Sequence, residues 1–211
     1  MAKYDLKELL SENSYPGRGI VMGMANDGKT ALFAYFIMGR SVNSRNRVFE
    51  AFDSGMRTKA FDESKMADPS LIIYNPYLKV GDVDVITNGN QTDTIRDFIV
   101  KDPADSACIS KALATREFEP DTPNYTPRIS GIAYYDYNKR SFRYSLSILK
   151  SNGTPDVCNR FFFDYTPACG VGHFIHTDKH DGTPIPSFEG EPEEVAMPAT
   201  AKELADAVWA N

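Results

Sequence analysis

The sequence predicts an α+β fold in which two antiparallel sheets pack face to face under outer helices. Three observations carry this reading. Strand-like segments follow one another through short turns, which pairs them antiparallel. Several of them are apolar at successive positions and so call for cover on both faces. Helical segments stand at both ends of the chain and in its middle, available to cover the outer sides of the sheets.

Each element has its own signal. Leu6, Leu9 and Leu10 lie at i, i+3 and i+4 and predict a short helix, ended by Tyr15-Pro16-Gly17. Residues 20–24 and 30–38 read as two strands joined at Asn26-Asp27-Gly28, because Asx and Gly residues tolerate the positive φ of a hairpin turn. Residues 31–38 are apolar throughout and predict a strand buried on both faces. Residues 71–74 and 80–87 read as further strands. Thr92 or Asp93 is placed to cap a helix carrying Ile95, Phe98 and Ile99. Lys101-Asp102-Pro103 breaks that helix and starts another with Ile109, Ala112 and Leu113 on one face. Residues 129–135 and 142–150 form a hairpin about Tyr137-Asn138-Lys139-Arg140, and residues 160–165 and 171–177 read as a third hairpin. Residues 183–198 are proline-rich and read as a surface loop, and Ala201, Ala205 and Trp209 mark a last helix. No linker divides the chain, so residues 1–211 are read as one domain.

The bulk properties exclude several classes of function. The formal net charge of -6 and pI near 5.1 repel polyanions, so neither nucleic acid nor an anionic membrane is an expected partner. No apolar run approaches the ~20 residues that cross a bilayer. Lys3, Asp5, Lys7 and Glu8 interrupt the N-terminus where a signal peptide would be apolar. Cys108, Cys158 and Cys169 form no CxxC pair and no disulfide framework, and are read as buried structural thiols of a cytoplasmic protein.

Four clusters have chemical potential. Residues 39–47 hold Arg40, Arg45 and Arg47 with Ser44 and no acid, in an acidic chain, and planar guanidinium forks match phosphate oxygens. Thr87-Asn88-Gly89-Asn90 leads into a helix start, where free N–H groups favour an anion or a polar base edge. Glu119 lies in a proline-rich connection near Asn124 and Arg128 and is a candidate general acid or base. His173, His176 and His180 crowd together, but His173 and His176 fall on opposite faces of a strand, and no metal site is predicted. There is no GxSxG elbow, Walker loop or GxGxxG.

Tyr15-Pro16-Gly17-Arg18-Gly19, Gly39-Arg40-Ser41 through Arg47, Asn75-Pro76, Gly81-Asp82, Thr87-Asn88-Gly89, Thr92-Asp93-Thr94-Ile95 and Thr126-Pro127-Arg128-Ile129 occur in one order. Together they resemble the archaeal-type IMP cyclohydrolases over residues 15–131, and their bacterial relatives over nearly the whole chain. The resemblance implies the four-layer αββα sandwich of N-terminal nucleophile hydrolases, without their N-terminal nucleophile chemistry, since the chain opens Met1-Ala2. It implies a cofactor-free reaction: 5-formamidoimidazole-4-carboxamide ribotide closes to IMP with loss of water. It implies that Arg45, with Arg47 as alternative, contacts phosphate or oxyanion, and that Glu119 transfers protons. The family's functional tyrosine falls where Asn75-Pro76-Tyr77-Leu78-Lys79-Val80 is shortened, which leaves Tyr77, or alternatively Tyr74, in its place. Arg40, Ser44, Arg47, Asn75, Asn88, Asp93, Asn124 and Arg128 complete the expected purine-ribotide site, and a homo-oligomer is implied. Two other readings share this site: a purine-ribotide-binding protein without turnover, and a related amidohydrolase acting on another ribotide.

Overall fold

The computed structural model describes residues 3–66, 69, 72–105, 108–138 and 140–210. Met1 and Ala2 of the opening dipeptide, Leu71 of the expected strand and Lys139 of the expected turn lie outside them. The elements are α1 (Leu6–Glu12), β1 (Arg18–Met24), β2 (Ala31–Ile37), α2 (Val42–Arg45), β3 (Arg47–Phe52), β4 (Gly55–Ala60), β5 (Tyr77–Val80) and β6 (Val83–Thr87). Then follow α3 (Gln91–Lys101), α4 (Ile109–Ala112), β7 (Arg128–Asp136), β8 (Ser141–Ser151), β9 (Cys158–Tyr165), β10 (Val171–His176), β11 (Glu193–Ala196) and α5 (Ala201–Trp209).

Two antiparallel sheets form, one ordered β11-β10-β1-β2 and the other β3-β4-β5-β6-β7-β8-β9. Their facing sides share one apolar core, with Ile20, Met22 and Ile175 from the smaller sheet against Ile129, Tyr144 and Leu146 from the larger. Leu6 and Leu10 of α1 and Leu204 of α5 cover the outer face of the small sheet. Ile95 and Ile99 of α3, with Ile109 and Ala112 of α4, cover that of the large sheet. Alternation along each strand therefore feeds two different cores, which is why β1, β7 and β8 are apolar or small on both sides. Asp5 caps α1 through the N–H groups of Lys7 and Glu8, and Thr200 with Glu203 closes a reciprocal box at the start of α5. No described helix is long and apolar enough to cross a membrane.

Several expectations are corrected. β2 is an edge strand, and only Leu32 within it is fully buried, because β1 is its sole partner in the sheet. Residues 80–87 are two strands, β5 and β6, folded back on each other at Gly81, whose φ of +59° suits a tight turn. Ile72, Ile73 and Tyr74 lie outside any strand: Thr58 accepts from the Tyr74 N–H and donates to the Ile72 carbonyl, so their polar groups are met without a ladder. β9 and β10 belong to different sheets, so residues 166–170 cross between them and close no hairpin. Residues 193–196 of the expected surface loop add strand β11 to β10. Asn90, with no side-chain cap, precedes α3, and Thr92 is buried inside that helix with its hydroxyl 2.6 Å from that of Thr87. Cys169 is exposed, and the other two cysteines are half-buried.

Several of the largest fully buried side chains, among them Ile20, Met22, Tyr144 and Leu146, lie on the face between the sheets. Leu146→Ala, at a fully buried position, is expected to cost about 2–5 kcal/mol, read as a lowered urea midpoint at unchanged slope.

Candidate active site

At the end of the sandwich where β1 and β7 begin, and where β2, β6 and β10 finish, a polar cavity of 320 Å³ opens. Arg18, Arg40, Arg47, Asp121 and Asp178 are the charged groups that line it. A larger groove of 530 Å³ beside α1 and α5 is lined by Leu10, Phe36, Trp209 and other uncharged residues, and offers nothing to orient a charged ligand.

Arg18 opens β1, and its side chain is 13% exposed. Its Nη1 donates to Glu119 Oε1 at 2.6 Å and to the Asn88 carbonyl at 3.3 Å. Burial is the largest single influence and lowers this guanidinium; the Glu119 carboxylate, together with Tyr74 and Tyr35, outweighs it and holds Arg18 above the ordinary arginine value. Glu119 is 1% exposed and sits behind the cavity wall rather than on it. Its N–H donates to the Thr126 carbonyl at 2.9 Å, within a loop that Asp121 closes by accepting from the Thr126 N–H at 2.7 Å. Glu119 Oε2 is buried with no hydrogen-bond partner.

Beside this pair runs a saturated polar layer. Asn88 Oδ1 accepts from the Ile129 N–H and from Gln91 Nε2, each at 2.9 Å, and its amide donates to the Pro127 carbonyl at 2.8 Å. Asn88 thus locks the end of β6 to the start of β7. Arg128 donates to Gln91 Oε1 at 2.8 Å, and burial pulls its guanidinium down to about 10 against the opposing charge of Glu119. Gly89 makes this approach possible: a Cβ there would fall 2.5 Å from Arg128 Nη1 and 2.7 Å from Gln91 Oε1.

The arginine-rich segment divides. Ser41 caps α2 by accepting from the Ser44 N–H at 3.0 Å, and the chain then turns into β3. Arg47, first in β3, donates Nε to the Ser44 carbonyl at 2.8 Å, while its Nη1 and Nη2 are buried with no partner. Burial lowers its pKa, and Tyr74, Arg18, Tyr35 and Glu119 all act on it. Arg40 stands on the rim, donating to the Gly182 carbonyl at 2.8 Å with the Asp181 carboxylate 3.4 Å away. Ser44 and Asn124 also line the cavity, the latter accepting from the Ile185 N–H at 3.2 Å. Arg45 does not line it: this exposed side chain donates to the Gly39 carbonyl at 2.6 Å.

Other expected residues lie elsewhere. Asn75 donates to Asp93 at 3.3 Å, and Asp93 also accepts from Arg96 at 2.7 Å, so these two serve the flank of α3. Tyr77 donates to Asp84 at 2.7 Å beside a separate apolar pocket. His173 meets Tyr144 at 2.7 Å, whereas His176, on the other face of β10, has its Nδ1 2.8 Å from the Asp178 carbonyl. Three residues of the site lacked a signal of their own in sequence. Arg18 was visible only as part of a glycine-flanked motif. Tyr35 shares a 2.7 Å hydrogen bond with Tyr74, and burial raises both phenols beside Arg18 and Arg47. Asp178, 5% exposed, is pushed up to about 6 by burial, against Thr177, Arg18 and His176.

A model of the family described as IMP cyclohydrolase-like protein matches residues 15–211. Relatives named IMP cyclohydrolase include two from Methanococcus maripaludis, strains C7 and S2. They are 33% and 34% identical over 123 residues, 58% of this chain and 59% of their own length. One from Methanococcus aeolicus is 30% identical over 116 residues, 55% of this chain and 56% of its own. The chain thus spans less than two thirds of the length of these relatives.

The Arg18–Glu119 pair yields a direct test. Arg18→Met leaves Glu119 buried without its cation and is expected to cost about 3–5 kcal/mol. Arg18→Met with Glu119→Gln should recover much of that loss, and urea unfolding of the four proteins of this cycle measures the coupling.

Proposed function

The chain belongs to the IMP cyclohydrolase-like family, and we propose that it closes 5-formamidoimidazole-4-carboxamide ribotide to IMP, releasing water. The observation that carries this reading is a set of buried polar atoms with no partner: both terminal nitrogens of Arg47 and Oε2 of Glu119. Each such group costs about 1–3 kcal/mol unless something answers it. An anion answers Arg47, and an N–H answers Glu119. A ribotide that carries a phosphate and a carboxamide supplies both.

The reaction joins two groups already attached to one imidazole, so much of the barrier is met by holding a single conformer. Arg47 and Arg40 take the phosphate. Arg18 offsets charge on the formyl oxygen as the tetrahedral centre forms. Glu119, ion-paired through Oε1, accepts the carboxamide proton on Oε2, a step that requires the wall in front of this buried oxygen to give way as the ribotide binds. Tyr74 takes the part of the family tyrosine: its phenol neighbours Arg18 and Arg47, while that of Tyr77 is given to Asp84. Arg47, with its nitrogens unanswered, takes the role that the sequence resemblance gave to Arg45. The layer order of helices, two sheets and helices supports the fold of N-terminal nucleophile hydrolases. The half-exposed apolar edge of β2 supports a homo-oligomer.

The test is purified protein with the formylated ribotide, followed by the absorbance rise of IMP. Turnover is expected, and its absence with folded protein that still binds IMP turns the reading into that of a binding protein. Hydrolysis of another N-formyl or cyclic amide, without ring closure, would assign the site to a related amidohydrolase. Arg47→Ala should weaken IMP binding by roughly tenfold to a hundredfold, the loss of one charged hydrogen-bonding group, and Arg45→Ala should weaken it far less. Raising ionic strength should weaken wild-type binding in the same assay.

A further inference from the structure

We propose that Asp178 is a second acid–base group of this cavity, the one that protonates the departing hydroxyl so that it leaves as water. The inference rests on the ring-closure reading and extends it to a residue outside the stretch shared with the archaeal enzymes.

Geometry comes first. Two carboxyl groups line the cavity, Asp121 and Asp178. That of Asp121 is committed to the N–H and hydroxyl of Thr126. Arg18 acts on Asp178 from nearby, with Nη1 turned to Glu119 and the Asn88 carbonyl, and Asp178 has no salt bridge among the described residues. Its backbone is pinned on both sides: its N–H donates to the Pro16 carbonyl at 3.2 Å, and its carbonyl faces His176 Nδ1 at 2.8 Å. Its carboxyl fills the space that any side chain at position 17 would need. A Cβ on Gly17 would fall 2.0 Å from Asp178 Oδ2 and 2.3 Å from Thr177 Oγ1, and Gly17 holds a φ of +73°. The turn before β1 is therefore shaped around this carboxyl, which is hydrogen-bonded to the Thr177 side chain and lines the same cavity as Arg18, Arg40 and Arg47.

The chemistry needs such a group. The carboxamide nitrogen bonds to the formyl carbon and gives up one proton, while the formyl oxygen gains one and becomes a hydroxyl. The C–O bond then breaks, and the hydroxyl leaves with the Asp178 proton as water. The formamide nitrogen loses its proton as the C=N bond forms, and that proton restores Asp178. The net change is one water lost. Glu119 stands behind the wall and serves the first step, and Asp178 stands on the wall and serves the second. Two carboxyl groups in unlike settings divide base and acid work in this way.

The surroundings set the protonation state. Burial raises Asp178 to about 6, Asp121 adds to this, and Thr177, Arg18 and His176 oppose it. The phenol of Tyr15 adjoins it, Arg40 and Arg47 face it across the cavity, and Asp181 lies on the rim. A bound phosphate brings further negative charge and favours the acid form. The sign for stability follows. A carboxyl raised in the fold contributes stability below the ordinary aspartate value of 3.8, and loses it as pH climbs through about 6. Near neutral pH the charged form costs the fold, and asparagine removes that cost.

The experiment compares full-length wild type, Asp178→Asn and Asp178→Glu for turnover of the formylated ribotide across pH, IMP affinity by calorimetry, and Tm. Wild-type kcat/KM is expected to fall with rising pH above a pKa of about 6 or higher. Asp178→Asn should lower kcat by roughly 10²–10⁴-fold and lose that limb of the profile, with IMP affinity and neutral-pH Tm kept or raised. Asp178→Glu should retain the limb at a reduced rate. If wild type turns over and Asp178→Asn matches it in rate and profile, the assignment fails while ring closure stands. If Asp178→Asn loses Tm and affinity while Asp178→Glu lacks the limb, the residue is structural and the assignment fails. Folded wild type that does not turn over overturns ring closure itself, and the assignment with it.

Discussion

A guanidinium and a carboxylate lie buried 2.6 Å apart between the two sheets, Arg18 from the small one and Glu119 from the loop that leads into the large one. Removing two charges from water costs several kcal/mol for each ion, and attraction offsets this only where the geometry is held. The surrounding residues are explained by that demand. Asn88 holds the end of β6 to the start of β7 through its side chain, which fixes the carbonyl that Arg18 also meets. Gly89 lacks a side chain so that Arg128 and Gln91 can pack against it. Asp121 and Thr126 fold the loop that carries Glu119.

The same pair organises the cavity electrically. The chain is acidic as a whole, with a net charge of -6, yet its cavity wall carries Arg18, Arg40 and Arg47. Two of these, Arg18 and Arg47, repel each other, and Glu119 pairs directly with the first while acting on the second from farther off. Asp121 and Asp178 also line the cavity, so what is left is not a net excess of charge but one guanidinium, that of Arg47, whose terminal nitrogens have no partner among the described residues. An anion of small volume is selected there by fit and by charge, while the global field keeps polyanions away.

Much of the architecture was legible in sequence where local chemistry is decisive. Asn26-Asp27-Gly28 marked the β1–β2 turn, and the three leucines marked α1. Where partner choice decides, sequence was mute. The apolar run of β2 reads the same at an edge as in the middle of a sheet, and β9 and β10 look like a hairpin until one sees that they join different sheets. β3 and β4 carry no such mark, because β3 has no buried position and β4 only two, so neither strand shows a clear apolar face. The site divides similarly. Arg40, Arg47 and Glu119 stood out as charges in telling contexts. Asp178 did not, because an acid between Thr177 and Lys179 has no local mark. Its meaning lies in Gly17, far away in sequence and in contact in space.

The chain passes between its two sheets twice: through residues 166–170 at one end, and at the other through residues 38–46, the segment whose last residues lead into Arg47. The second crossing therefore does two jobs, joining the layers covalently and presenting the cationic wall. A molecule gripped by Arg47 on the large sheet and by Arg18 on the small one fastens the layers to each other at this end. By mass action such a ligand favours the closed sandwich over every state in which the sheets part. Anion binding at this cavity and the cohesion of the two layers are then one equilibrium, seen from two sides.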